Sequence, residues 1–178
     1  MHIYCLFYNP IKRSRLTALV KRVCGCGIIV PRIVQRKWVR GQAFEELHDF
    51  LPGYMFLYSE APIDDPERLA GFDGVYRLLG TKQGGWQLRG SDRAFAELLH
   101  RNDGVIGIMK VWRDDGWLKP VAGLYGGFGS DIVKVDRRQR ALVRFFFDDR
   151  ALAVWVGYDV VDERNTNEPS LYMGAAQA

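Results

Sequence analysis

The residues that could carry out chemistry are few and scattered. His2, His48 and His100 fall at the chain start, in a polar loop and at a helix end, and none has the spacing of a metal site. Cys5, Cys24 and Cys26 are an odd set. Cys24-Gly25-Cys26 is too closely spaced for a zinc knuckle and lacks a second Cys/His pair, so free thiols in a reducing cytoplasm are expected. The acid pairs Asp64-Asp65, Asp114-Asp115 and Asp148-Asp149 read as caps and turns. Gly123-Leu124-Tyr125-Gly126-Gly127-Phe128-Gly129 opens no helix and lacks the Lys-Ser or Lys-Thr of a phosphate cradle. No Ser or Cys sits on a nucleophile elbow. The expectation is a non-enzyme that needs no metal or cofactor.

The chemistry left is recognition. Basic residues crowd into Lys12-Arg13-Ser14-Arg15, Lys21-Arg22, Arg36-Lys37 with Arg40, and Arg137-Arg138-Gln139-Arg140, within a chain of net charge +4. Such clusters suit phosphate backbones, where Lys and Arg supply a salt-sensitive attraction blind to sequence. Solvated helix faces and turns produce the same clusters, and both readings stand on the residues alone. The second feature is apolar: Phe50-Leu51-Pro52-Gly53-Tyr54-Met55-Phe56-Leu57. Pro52-Gly53 makes a turn, because Pro presets φ and Gly accepts what other residues cannot. A strand with alternating faces follows from Tyr54 to Tyr58. Phe50 and Leu51 precede that strand, so they are free to lie exposed beside the corner. The same run also reads as a core strand entered through a tight turn.

The elements that position these groups follow from periodicity. At 178 residues, 48% hydrophobic and 13% aromatic, the chain can build one ordinary domain or two small ones. No apolar run is long enough to span a bilayer, and no signal-peptide pattern opens the chain. His2 to Tyr8 reads as a strand buried on both faces. Leu16, Leu19, Val20 and Val23 mark an amphipathic helix ended by Gly25 and Gly27. Ile28 to Val39 is extended, with Pro31 at an edge or bulge, and Gly41 to Asp49 reads as polar connection. Asp64-Asp65-Pro66 opens a short helix through Leu69, and Gly74 to Leu79 is a strand. Ser91-Asp92 caps a helix carrying Phe95, Leu98 and Leu99, and Val105 to Trp112 is a strand.

After Arg113-Asp114-Asp115-Gly116 the period changes. Leu118–Val121, Ile132–Val135, Ala141–Phe147, Ala151–Val156 and Tyr158–Val161 are short strands with no helix between them, as in a small SH3-like barrel. The expected organisation is α+β: a split βαβ domain over 1–112, a linker over 113–116, a barrel over 117–163 and a loose tail over 164–178.

This layout resembles the NusG family of bacterial transcription elongation factors over roughly Met1 to Glu163. Ile3-Tyr4-Cys5-Leu6-Phe7 corresponds to the family's first strand, with Ile3 replacing the usual Trp. Val39-Arg40-Gly41, Phe50-Leu51-Pro52-Gly53-Tyr54 and Gly74-Val75-Tyr76-Arg77-Leu78-Leu79-Gly80 match its amino-terminal (NGN) domain. Val121-Ala122-Gly123 and Val133-Lys134-Val135-Asp136-Arg137-Arg138 match its KOW domain, although Leu124-Tyr125 departs from the usual Pro pair. Leu88 to Ala96, Asp103 to Gly107 and Asp136 to Val143 look more like the specialised LoaP-like paralogues than like the housekeeping factor.

The resemblance implies that the first domain docks on the clamp-helix coiled coil of the polymerase largest subunit. Phe50, Leu51, Pro52 and Tyr54 match that pocket by position, with Tyr8 and Phe56 beside them. It implies that Lys12, Arg13 and Arg15 face upstream or non-template DNA. Lys134, Arg137, Arg138, Arg140 and Arg144 would meet an RNA hairpin, while other family barrels bind a ribosomal protein or the termination factor Rho. The implied role is operon-specific antitermination by a monomer. A housekeeping elongation or pausing factor, and an RNA-binding protein without polymerase contact, are the alternatives.

Overall fold

The structure is a computed structural model and describes residues 1–114, 117–121 and 131–161. The Gly-rich run 123–129, the Leu124-Tyr125 departure and the expected tail 164–178 lie outside the described residues. Strand β1 (His2–Tyr8) is central to a four-stranded antiparallel sheet with β2 (Gly27–Ile29), β5 (Tyr54–Ser59) and β6 (Val75–Leu78), in the order β2-β5-β1-β6. Register on β1 and β5 sorts their side chains onto two faces. Ile3, Cys5 and Phe7 stand opposite Tyr58, Phe56 and Tyr54, while Tyr4 and Leu6 stand opposite Leu57 and Met55.

Each face has its own cover. Helix α1 (Arg13–Cys24) presents Leu16 and Val20 to Tyr4, Leu6, Tyr8, Met55 and Leu57. It ends where Gly25 turns left-handed at φ 61° and donates its N–H to the Lys21 carbonyl at 2.9 Å. Helix α2 (Gly90–Arg101) presents Phe95, Ala96 and Leu99 to the opposite face. The expected Ser91-Asp92 cap is replaced: the helix starts one residue earlier, at Gly90 after Arg89, and makes no side-chain cap bond. Asp92 instead accepts the backbone N–H of Asp148, at 3.2 Å.

Pro31 separates what reads in sequence as one extended run. β2 stays in the first sheet, and β3 (Arg32–Val39) leaves for a second one. The supposed connection Gly41 to Asp49 is a strand, β4 (Gln42–Asp49), paired along its whole length with β3 through a tight turn at Arg40-Gly41. Every residue of β4 is exposed, so no buried alternation marks it. Val105 to Trp112 is likewise two strands. β7 (Val105–Ile106) pairs with β3, and β8 (Met109–Asp114) enters a third sheet.

The third sheet runs β10-β11-β12-β8-β9, with β9 (Trp117–Pro120), β10 (Asp131–Val135), β11 (Arg140–Phe147) and β12 (Arg150–Val160). Arg113 and Asp114, expected in a linker, continue β8 and pair with Leu118 and Trp117. The second sheet-forming unit therefore takes its first strand from residues before 113. The last two expected strands are one, because Gly157 is strand backbone against the first half. A Cβ there would lie 2.7 Å from Ile108 Cδ1 and 3.5 Å from Arg36 Cβ.

The corner before β5 is a type II turn, with Pro52 and Gly53 central and the Tyr54 N–H donated to the Leu51 carbonyl at 3.0 Å. Gly53 has φ 93°, and a Cβ there would lie 3.0 Å from the Tyr8 carbonyl oxygen. Gly53→Ala is therefore expected to cost about 2 kcal/mol, read as a lower urea midpoint. An unchanged midpoint would contradict the turn.

Candidate functional site

The aromatic run is not exposed. Phe50 is 5%, Leu51 8%, Tyr54 9% and Phe56 0% accessible. What covers them is β11. Its inward residues Phe145 and Phe147 close over the sheet, with Phe50–Phe145 ring centroids 5.2 Å apart, Tyr54–Phe147 at 5.3 Å edge-on and Phe56–Phe147 at 5.4 Å. Phe95 of α2 completes the cluster, 5.2 Å from Phe147 and stacked 6.0 Å from Phe145. The expectation of an exposed Phe50-Leu51 corner is corrected here, because a neighbouring sheet supplies the apolar contact that solvent does not.

Tyr8 is not part of this cluster. It is buried on the opposite face with Leu16 and Val20, because only alternate residues of β1 reach the aromatic face. Phe7 occupies the place by parity, 5.0 Å from Tyr54 and 5.4 Å from the exposed Tyr76. Sequence reasoning missed Phe7, Phe95, Phe145 and Phe147. The period-2 register of β1 was the signal for Phe7, and the sequence carries no local signal for the others meeting it.

Polar contacts ring the aromatic cover. The Asp148-Asp149 turn after β11 has both residues left-handed, at φ 54° and 56°. It aims the Asp148 carboxylate at Arg77 and at the Tyr54 hydroxyl, which donates to it at 3.2 Å. Burial, with Asp148 beside it, pushes the Tyr54 phenol up, so it remains a donor. On the other side Arg36 donates to both Asp159 oxygens, at 2.7 and 3.3 Å, and to Glu45 at 3.1 Å. The Trp38 indole N–H donates to the Arg138 carbonyl at 3.2 Å. The third sheet is thus seated on the first half by an aromatic centre and polar margins.

No protein-family model and no curated protein matches the chain. Among solved structures it is similar to one described as "Domain interaction in Thermotoga maritima NusG", at 15% identity and a TM-score of 0.53, over 88% of this chain and 93% of that one. The fold is NusG-like. In those terms the α1- and α2-covered sheet is the NGN-type α+β unit, and the sheet from β8 to β12 is the KOW-type β-barrel.

In this NusG-like frame the basic candidates fall into two groups. At the start of α1, Lys12 is bonded to Asp73 at 2.6 Å, Arg15 lies 3.5 Å from the same carboxylate, and Arg13 is paired with Asp49. These cations are largely answered within the chain. In the KOW-type sheet Arg137 and Arg138 are exposed at the β10–β11 turn, and Lys134 and Arg144 are exposed along the strands. Arg140 is bonded to Asp136 at 2.6 Å and lies over the Trp155 ring at 5.2 Å.

Asp136 fixes that turn. Its carboxylate accepts the backbone N–H groups of Arg138 and Arg140, at 2.9 and 3.0 Å, besides the Arg140 side chain. Burial pushes its pKa up, but the bonds from Arg140 and Arg138 outweigh burial and hold it below the usual carboxylate value. A group depressed in the folded state contributes stability above its unfolded pKa, about 3.9, and loses it as pH falls through the folded value. Asp136→Asn is therefore expected to lower the urea midpoint at pH 7 and to converge with the native chain as pH falls through the lowered folded value of Asp136. Parallel midpoints across that range would contradict the assignment.

The histidines stay apart. His2 bonds Gln87 at 3.0 Å, His48 lies 3.5 Å from Glu46, and the His100 ring packs 4.6 Å from Tyr58. Among the described residues no group of three or more His, Cys, Asp or Glu side chains could hold a metal, and no helix is long and apolar enough to cross a membrane.

Proposed function

We propose that this chain is a non-enzymatic bacterial transcription elongation factor that docks on the clamp-helix coiled coil of RNA polymerase through Phe50, Leu51, Pro52, Tyr54 and Phe56, with Phe7 beside them. The observation that carries the proposal is the make-up of the aromatic face within a NusG-like fold. Phe95 of the NGN-type unit covers one side of it, but Phe145 and Phe147 over Phe50, Tyr54 and Phe56 come from the KOW-type sheet, so lifting that sheet exposes an apolar surface bordered by Phe95. A rigid aromatic surface of this kind suits a helical partner, whose side chains would replace Phe145 and Phe147. Tyr8 supports the sheet from behind and makes no contact with the partner.

The docked form is then an open form. Polymerase gains the NGN-type surface, and the KOW-type sheet is released to contact RNA or the translation machinery through Lys134, Arg137, Arg138, Arg140 and Arg144. Lys12, Arg13 and Arg15, drawn from their carboxylate partners, would face the upstream or non-template strand. The LoaP-like segments Leu88–Ala96, Asp103–Gly107 and Asp136–Val143 favour action on selected operons by suppressing pausing and termination.

The test is single-round elongation by purified bacterial RNA polymerase across a pause and a terminator, with the full chain added. Increased readthrough, with the chain retained on the elongation complex, is the expected result. No retention by either the native chain or a Phe147→Ala variant would overturn the proposal.

A further inference from the structure

The β3–β4 hairpin has no part in that reading, yet its residues make contact across the seam. Trp38, two residues before the Arg40-Gly41 tip, is 44% exposed while its indole N–H is fixed to the Arg138 carbonyl. That bond brings two turns side by side: Arg40-Gly41 from the first half, and Arg137-Arg138-Gln139 from the second. Arg40, Arg137 and Arg138 are all exposed. The second turn is held in shape by Asp136, and Arg140 rests on Trp155 behind it. The nearby hairpin acid Glu45 is already engaged by Arg36.

We infer that Trp38 and Arg40, together with Arg137 and Arg138, form one composite surface for an unpaired nucleic-acid strand. The chemistry is that of a stacking platform edged by cations. An exposed indole offers a face to a base, and guanidinium groups on both sides take the flanking phosphates. A duplex hides its base faces, so the indole contributes nothing to it. Neither turn is sufficient alone, because the platform belongs to the first half and most of the cations to the second. The surface therefore exists only while the KOW-type sheet is seated on the NGN-type unit. Polymerase docking as proposed above would dismantle it, so it belongs to the free chain; strand binding by the chain without polymerase is read apart from docking, and either can fail alone.

The experiment is fluorescence anisotropy of the full chain with labelled oligouridine, oligothymidine and a duplex of equal length, at two salt concentrations. Single strands are expected to bind more tightly than the duplex, and tighter binding of oligouridine than of oligothymidine would name RNA as the source. Affinity should fall roughly 20-fold between about 50 and 200 mM salt if each of the three arginines contacts one phosphate. Trp38→Ala is expected to lose about ten-fold, and Trp38→Phe, which keeps a ring, to retain most of the affinity. Replacing Arg137 and Arg138 by alanine should weaken binding and flatten the salt slope. Trp117→Ala, at an indole 76% exposed elsewhere, should bind as the native chain does. Trp38→Ala binding like the native chain, Trp117→Ala losing as much as Trp38→Ala, or equal binding of the duplex would each overturn the inference. Circular dichroism of Trp38→Ala separates lost contact from lost fold.

Discussion

Phe147→Ala is expected to raise the affinity of the full chain for a clamp-helix coiled coil by about ten-fold or more. Phe147 is 1% exposed and touches Tyr54, Phe56 and Phe95 across the seam. Truncating a buried Phe costs about 3–5 kcal/mol, and here much of that cost falls on the seated arrangement. Some of it is also felt by the released sheet, whose inward face includes Phe147, so the seated form loses only the difference. Even about 1.4 kcal/mol of difference increases the open fraction ten-fold while that fraction is small, and apparent affinity rises with it. Phe146→Ala is the control. Phe146 is the adjacent residue but points outward and is 59% exposed, so its removal should leave binding unchanged. Biolayer interferometry with the coiled coil immobilised reads both. A Phe147→Ala variant that is folded and binds no better than the native chain would contradict the covering role.

Phe95→Ala is expected to be the most destabilising single truncation in the chain. Phe95 is 2% exposed and packs against Phe50, Phe56, Phe145 and Phe147, so it belongs to both halves at once. A loss of about 3–5 kcal/mol is expected. At about 2–4 °C per kcal/mol for a chain of this size, the midpoint should fall by roughly 6–20 °C. Because the residue sits where the halves meet, the variant should also separate the unfolding of the two. Far-ultraviolet dichroism dominated by the helices and near-ultraviolet signals from Trp112 and Trp155 should cease to coincide. A small, fully coincident shift would place the junction elsewhere.

Much of this fold is legible from local pattern. β1, α1, β5 and α2 show up in sequence because each has one clear period and a marked end, such as Gly25 after α1 or Pro52-Gly53 before β5. β4 does not, because all its residues face solvent and nothing in Gln42–Asp49 records the partner strand β3. The Ile28–Val39 and Val105–Trp112 runs look continuous because apolar content says nothing about which sheet a strand joins. At the site, the residue types of the Phe50–Phe56 corner were readable but their exposure was not. Phe145 and Phe147 alternate inward as any barrel core would, and alternation shows a buried face without naming what buries it. The role given to Tyr8 fails for a related reason: a shift of one position on a strand moves a side chain to the other face.

The most direct test of the central claim is hydrogen exchange of the full chain, read by mass spectrometry, with and without the clamp-helix coiled coil. If the coiled coil takes the place of the KOW-type sheet, peptides covering Phe50 to Phe56 should keep or gain protection. Peptides covering Phe145 to Arg150, which include the Tyr54 partner Asp148, should lose it in the same complex. Protection that stays unchanged in both segments while the coiled coil is bound would contradict the account, because the partner would then be docked on a different surface.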